Sequence, residues 1–362
     1  QVIIAGGGLI GSLMAIALAD YGIRTALIDT QGIRRKENKI FDGRAYALSL
    51  TTARFLSSLN IWENVVKKAT PILDIKVSDG YAKFGAHPFF MHFDHKEVDE
   101  GPMGFMLEDR FLREELYRKV SQSPLIQHFP SSMIIYQKPR SADVEVQLDN
   151  SRILHCKLLI GSDGKSSSIG TNAGIQRINY DYDQVSLVSA VKHELSHNGE
   201  AHQFFMPPGP LAILPLPGNR SSIVWTEKRS VAEQINDLSA EKYLSELKLR
   251  FGDFRGEIKL DGKRFAYPLS LSVSEKIIAQ RVALIGDAAH SLHPVAGQGL
   301  NLGIRDIASL TEVLVTAGRR GEDIGNYDVL DRYSVWRNFD RTSLYLVTHG
   351  VNRLFSNNNF FL

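Results

Sequence analysis

Two glycine-rich segments hold the residues best suited to chemistry. Gly6-Gly7-Gly8-Leu9-Ile10-Gly11 stands near the N-terminus. Gly286-Asp287-Ala288-Ala289-His290, followed by Pro294-Val295-Ala296-Gly297-Gln298-Gly299-Leu300-Asn301, stands in the last quarter of the chain. In the first, Gly6 permits a tight turn, Gly8 lets the backbone approach a pyrophosphate, and Gly11 lets a helix pack closely on a strand. A helix starting there offers unpaired N–H groups and a positive dipole end to phosphates. Asp29 ends the next apolar run, where a carboxylate can accept hydrogen bonds from an adenosine ribose. Any strand, glycine turn and helix can imitate such a fingerprint. The acidic residue in register is what lifts it to a nucleotide site.

The elements that must position these residues follow from periodicity. Val2, Ile3, Ile4 and Ala5 form a short apolar run suited to a buried parallel strand, Leu13, Met14, Ile16, Ala17 and Leu18 read as a helix, and 25–28 is a second strand. Residues 107–121 read as a helix with charged residues on one face; 134–136, 144–148 and 153–156 read as strands, the last pair turning at Asp149-Asn150. The apolar 158–160 runs into Gly161-Ser162-Asp163-Gly164. Alternation from 184 to 224 indicates an antiparallel sheet, broken by Pro207-Pro208-Gly209-Pro210, and 282–285 returns to a buried parallel strand. The expected fold is α/β, a Rossmann-like cofactor-binding domain (1–70, 105–180 and 276–320) interleaved with an antiparallel-sheet substrate domain (71–104 and 181–275). A helical segment, 321–362, closes the chain. The two glycine segments would then suit different parts of one long cofactor, FAD.

Composition agrees with this. The 362 residues, 43% hydrophobic and 23% charged, can bury a sizeable core. A net charge of +2 without any basic run gives no case for nucleic acid. A single cysteine, Cys156, excludes an internal disulfide and a cysteine-based metal cluster, so a reducing cytoplasm is the expected setting. Residues 1–19 lack charge, yet their glycines and the missing basic flank argue against a signal peptide or membrane span, and the abrupt Gln1 start reads as a trimmed chain. His290 and His293 are spaced like metal ligands, but no carboxylate or cysteine cluster joins them, so no metal is expected.

The motifs resemble those of the group A flavoprotein aromatic hydroxylases, which share the fold of p-hydroxybenzoate hydroxylase, and within them the Ubi-type ubiquinone-biosynthesis hydroxylases. The 2-polyprenyl-6-methoxyphenol hydroxylase branch is the most similar. The marks are Gly6 to Gly11 with Asp29, Asp42-Gly43-Arg44-Ala45-Tyr46-Ala47-Leu48-Ser49, Gly161-Ser162-Asp163-Gly164, Gly209-Pro210-Leu211-Ala212-Ile213-Leu214-Pro215-Leu216, and Gly286 through Asp306. The resemblance implies FAD held by Gly6, Gly8, Leu9, Ile10, Gly11 and Asp29. It places Gly286 and Asp287 on the ribityl chain, and Pro294, Gly297, Gln298, Gly299, Leu300 and Asn301 against the isoalloxazine ring. Arg44 would lie near the flavin or pyrophosphate, Arg110 would reach the flavin from its helix, and Asp163 would serve both the FAD phosphates and the NAD(P)H donor. Plainer readings stand beside these: Asp287 as a helix cap, Asp163 as a turn former, Arg44 as a surface ion-pair partner, Arg110 on a solvated face. Where the family carries an arginine after its Asp-Gly element, this chain has Gly170, which leaves the docking of NAD(P)H in doubt. Asp29 replaces the usual glutamate.

The reaction so implied is hydroxylation of an electron-rich, lipophilic phenol by O2, with NAD(P)H as reductant and a flavin C4a-hydroperoxide as oxygen donor. Met206, Leu211, Ile213, Leu214 and Trp225 are candidate pocket walls, with ordinary sheet packing as the alternative. No catalytic base can be named. Isolated tryptophans argue against a flavin halogenase, and the single cysteine argues against a disulfide reductase. An FAD-dependent prenyl reductase and a non-catalytic flavin-binding scaffold remain as alternatives. Leu344, Tyr345, Leu346, Val347, Val351, Leu354 and Phe355 suggest an amphipathic helix. It could touch the inner membrane or a partner enzyme of ubiquinone biosynthesis, or pack on its own core.

Overall fold

Val2–Ala5 is buried at every position and lies at the centre of a six-stranded sheet. The computed structural model describes residues 1–32, 41–81, 85–97, 100–291 and 297–355, with backbone alone for 81, 85–89 and 344–355. Pro294 and His293 therefore lie outside the described residues, as do the side chains of the apolar C-terminal run. The strand order is Ile278–Ala279, Val282–Leu284, Leu158–Gly161, Val2–Ala5, Thr25–Asp29, Ile126–Pro130. All neighbours run parallel except the edge hairpin 278–284. The central strands Val282–Leu284, Leu158–Gly161 and Val2–Ala5 are buried throughout and carry no polar side chain, as a parallel sheet covered on both faces requires.

The helix Leu9–Asp20 is buried from Gly11 through Leu18, which matches its apolar character on all sides. It is held between this sheet and the Gln298–Arg319 helix, where Thr311 Oγ1 lies 3.9 Å from Met14 Sδ. Two glycines make that packing possible. A Cβ at Gly11 would fall 1.8 Å from the Gly6 carbonyl oxygen, and one at Gly303 would fall 2.6 Å from Ile10 Cδ1.

The large sheet runs in the order His290–Ser291, Phe265–Ser274, Arg177–His193, Arg220–Lys228, Leu211–Leu216, Glu200–Phe205, Asp74–Tyr81, Gly85–Asp94, with Ile258–Leu260 paired to Arg177–His193. One pair in it is parallel, Glu200–Phe205 with Asp74–Tyr81. Helices Arg229–Asn236 and Ala240–Phe251 cover one face, and Leu211, Ile213, Trp225 and Tyr243 share the core between. The other face meets a three-stranded sheet of Ala45–Ser49, Gly104–Glu108 and Thr70–Ile72, where Ala190, Leu214 and Leu216 pack with Phe41, Ile72 and Met106. The helix expected over 107–121 starts at Asp109, because Gly104–Glu108 is a strand pairing with both 45–49 and 70–72. Met106, Leu107 and Glu108 are all buried, so the run shows no alternation to betray a strand.

The chain leaves the parallel sheet at Leu284, turns through Gly286–Ala288, and joins the large sheet at His290–Ser291. That turn sits at the seam of the two sheets. Among the described residues, no helix is long and apolar enough to cross a membrane.

Candidate active site

The turn after Val2–Ala5 is built as the fingerprint requires. Gly6 has φ +102°, and a Cβ on it would stand 2.4 Å from the Ser162 carbonyl oxygen. Ser162 Oγ donates to the carbonyls of Ala5 at 2.8 Å and Gly6 at 3.0 Å, tying this turn to the Gly161–Gly164 segment. Gly7 lies against Asp29: a Cβ there would meet Asp29 Oδ2 at 2.5 Å. Gly8 caps the Leu9–Asp20 helix with φ −65° and no side-chain hydrogen bond, and a Cβ on it would meet no atom within 4 Å. Packing does not demand a glycine there. The bare position leaves the first-turn N–H groups, which have no intrahelical acceptors, open to an anion.

A cleft of about 460 Å³ opens over this turn, within the usual range for ligand sites. Gly6, Gly7, Gly8, Asp29, Arg44 and Asp163 all line it, so residues scattered over the first half of the chain converge. The shape and donor set fit the adenosine and pyrophosphate part of FAD: free helix amides, a carboxylate at the strand end, and cations. Arg113 lines the cleft too and was not picked out from the sequence. It follows Arg110 by three residues on the Asp109–Gln122 helix, and the only sequence signal for it was that same charged face. Arg110 is not among the lining residues; it is bound to the buried Glu108 at 2.6 Å and lies over the Phe111 ring.

Asp109 organises the two cleft arginines. Its carboxylate pairs with Arg113 at 2.8 Å and Arg44 at 3.5 Å and accepts the Tyr46 hydroxyl at 2.8 Å. Burial opposes its charge, but Arg113, Tyr46 and Arg44 outweigh that and hold its pKa below the usual carboxylate value. Arg44 is fixed further by Asp42 at 2.6 Å. Asp163 turns its carboxylate onto Ser167 Oγ at 2.6 Å and the amides of Ser168 and Ile169, so it caps the short Ser168–Asn172 helix while facing the cleft.

The second segment meets the first through Ile10, which packs on both Gly286 and Gly303. Gly286, at φ +59°, donates its N–H to Asp306 Oδ2 at 2.9 Å. Asp306 has no exposure and is also paired with Arg337 at 2.7 Å and His290 at 3.0 Å. Burial opposes its charge too, yet His290 and Arg337 keep its pKa low. Asp287 next to it stays open to solvent, ringed by protein whose displacement of water raises its pKa. Gly297, in the left-handed region at φ +63°, caps the Gln298–Arg319 helix, and a Cβ on Gly299 would meet nothing within 4 Å. Leu300 is half-buried against the core, and Gln298 is also partly exposed.

Asn301 is spent inside the protein. Its side chain accepts from Ser49 N and Thr52 Oγ1 and donates to the carbonyls of Ala47 and Gly297, locking the helix start to the 45–58 segment. Of the five candidate pocket walls, Met206, Leu211, Ile213 and Trp225 belong to the core beneath the two helices, and Leu214 alone packs on the opposite face. On that face, Val188, Val224 and Ala212 stand in one cross-strand row and are each half-buried.

The family described as FAD binding domain matches residues 1–339. The ubiquinone hydroxylase UbiL of Rhodospirillum rubrum is 38% identical over 357 residues, 99% of this chain and 82% of that protein. The human mitochondrial ubiquinone biosynthesis monooxygenase COQ6 is 29% identical, with 98% and 85% covered, and the 3-demethoxyubiquinol 3-hydroxylase of Escherichia coli is 29% identical, with 94% and 86% covered. Among solved structures, PqsL of Pseudomonas aeruginosa superposes with a TM-score of 0.82 at 20% identity, covering 98% of this chain and 96% of that one. The p-nitrophenol 4-monooxygenase PnpA of Pseudomonas putida gives 0.80 at 19%, covering 99% and 90%. Both structures share the α/β architecture with its interleaved antiparallel sheet.

Proposed function

We propose, from the premise that this chain belongs to the FAD binding domain family and is an FAD-dependent monooxygenase, that it hydroxylates the ring of a prenylated phenol in ubiquinone biosynthesis. What supports the reading is the cleft over the glycine turn, lined by Gly8, Asp29, Arg44 and Arg113, with Ile10 joining that turn to Gly286 and Gly303. Gly6, Gly8, Leu9, Ile10 and Gly11 receive the pyrophosphate, Asp29 the ribose, Arg44 and Arg113 neutralise phosphate charge, and Asp287 holds the ribityl chain. FAD, reduced by NAD(P)H, supplies the oxygen-activating chemistry. The protein must orient the ring and keep water away. The half-buried row Val188, Val224 and Ala212, on the sheet face turned from the helices, is apolar enough to serve that end.

A lipophilic phenol is met at a membrane surface or handed on by an enzyme of the same pathway. The Tyr327–Phe355 helix presents Val335, Trp336 and Phe339 at 67%, 56% and 82% exposure. Three such residues on one helical face support peripheral contact with the membrane.

The reading is tested by following NADH and NADPH oxidation by the FAD-loaded protein with and without a short-prenyl 6-methoxyphenol, in air and under nitrogen. The expected result is oxygen-dependent formation of a product heavier by one oxygen. A product heavier by two hydrogens, formed without oxygen, would mean a prenyl reductase. No turnover with any phenol, despite bound FAD, would mean a scaffold.

A further inference from the structure

Arg177, the first residue of Arg177–His193, places a guanidinium at the seam between the two sheets. Nε donates to Ser272 Oγ at 2.9 Å, Nη1 to Ser274 Oγ at 3.0 Å and to the Ala288 carbonyl, and Nη2 to the carbonyls of Ser272 at 3.2 Å and Asp287 at 3.1 Å. It thus grips the carbonyl side of the Gly286–Ala288 turn, while Asp306 grips the amide side through Gly286. A lysine could reach one of these acceptors; only the planar fork reaches all of them. The carboxylates of Asp163 and Asp287 are the charges that act on this guanidinium. The charges that act on the Asp287 carboxylate are, in falling order, those of His290, Arg177 and Lys165.

We infer that Arg177 is a positioning residue for the flavin end of the site: it fixes the turn that carries Asp287 and brings a positive charge to it from the large sheet. The inference rests on the reading of Asp287 as a cofactor contact. Loss of water raises the Asp287 pKa, and His290, Arg177 and Lys165 together counter that rise. Without the Arg177 charge, Asp287 takes up its proton at higher pH and ceases to be a full acceptor for a ribityl hydroxyl.

The test is FAD titration of the apo-protein between about pH 5 and 8, by quenching of flavin fluorescence, for wild type, Arg177→Gln, Arg177→Lys, Asp287→Asn and the Gln/Asn double variant. Arg177→Gln should weaken FAD binding about tenfold or more, the loss of charged hydrogen bonds, and should move the acid fall in affinity to higher pH. Arg177→Lys should bind less tightly but keep the wild-type pH position, and it carries the test if the glutamine variant does not fold. In the Asp287→Asn background, Arg177→Gln should keep the loss that comes from the released turn but add no displacement with pH. A lysine variant with the same pH displacement as the glutamine variant, or a glutamine pH displacement undiminished in the Asn background, would overturn the inference. Wild-type FAD affinity in Asp287→Asn alone would instead overturn the reading of Asp287 on which it rests.

Discussion

Gly8→Val separates what the fold needs from what the cofactor needs. Gly8 has φ −65° and ψ −171°, an extended conformation open to any residue, and a Cβ there meets no protein atom within 4 Å. The apo-protein should therefore tolerate valine at a cost of about 1 kcal/mol, that of replacing a preferred N-cap residue. Cofactor binding should not tolerate it. The three added carbons hold the pyrophosphate away from the first-turn amides, and each charged hydrogen bond lost costs about 1.5–3 kcal/mol. The FAD dissociation constant should rise by about tenfold to several hundredfold. Gly6→Val is the contrast, since its φ of +102° and the 2.4 Å approach to Ser162 would disturb the fold itself. The assay pairs apo-protein melting with FAD titration by fluorescence quenching. A Gly8→Val protein that melts like wild type and binds FAD like wild type would refute the placement of the pyrophosphate.

Asp306→Ala removes a fully buried carboxylate that serves Gly286, His290 and Arg337, and should cost about 3–5 kcal/mol, seen as a fall on the order of 5–10 °C in the melting temperature. An unchanged melt would show that Arg337 finds sufficient compensation in Asp340. Arg113→Met should weaken FAD binding about tenfold with little effect on folding, because Arg113 lines the cleft and Asp109 keeps Arg44; wild-type affinity would remove Arg113 from the site. His202, facing Arg255, Glu200 and Lys76, has its pKa depressed to about 4 by burial and then by Arg255. The unfolded chain takes up this proton near pH 6.5 while the folded one refuses it, so stability should decline from about pH 6.5 to 4, by up to about 3 kcal/mol. Glu200 is held near 2, its burial being outweighed by hydrogen bonds from Lys76 and Arg255, so its own contribution persists above about pH 4.5 and is lost only toward pH 2. Urea unfolding of His202→Gln should lack the decline between pH 6.5 and 4; an identical pH profile would disprove the assignment.

The glycine turn was legible because its backbone demands are local: strand, turn, helix and Asp29 lie within 29 residues of each other and obey one geometry. The buried strands at 158–161 and 282–284 were legible for the same reason, as short apolar runs. What escaped depends on distant partners. Arg110 and Arg113 share a helix; Glu108, itself bound by Arg220, holds the first, and Asp109, itself bound by Arg44 and Tyr46, holds the second at the cleft. Asn301 sits in a flavin-type motif, yet its four hydrogen bonds run to Ser49, Thr52, Ala47 and Gly297, and three of those partners lie some 250 residues away in sequence. Within Leu211–Leu216 the period of two could have parted Leu211 and Ile213 from Leu214, but which face meets the helices is decided elsewhere in the chain.

The central claim, monooxygenation by an FAD enzyme, is tested most directly by the source of the oxygen. The FAD-loaded protein would be given NAD(P)H, oxygen-18 gas and a short-prenyl 6-methoxyphenol, and the product examined by mass spectrometry. One labelled oxygen on the ring is the predicted result. A hydroxylated product whose oxygen comes from water, or substrate left untouched while NAD(P)H oxidation yields peroxide alone, would contradict the claim for this substrate.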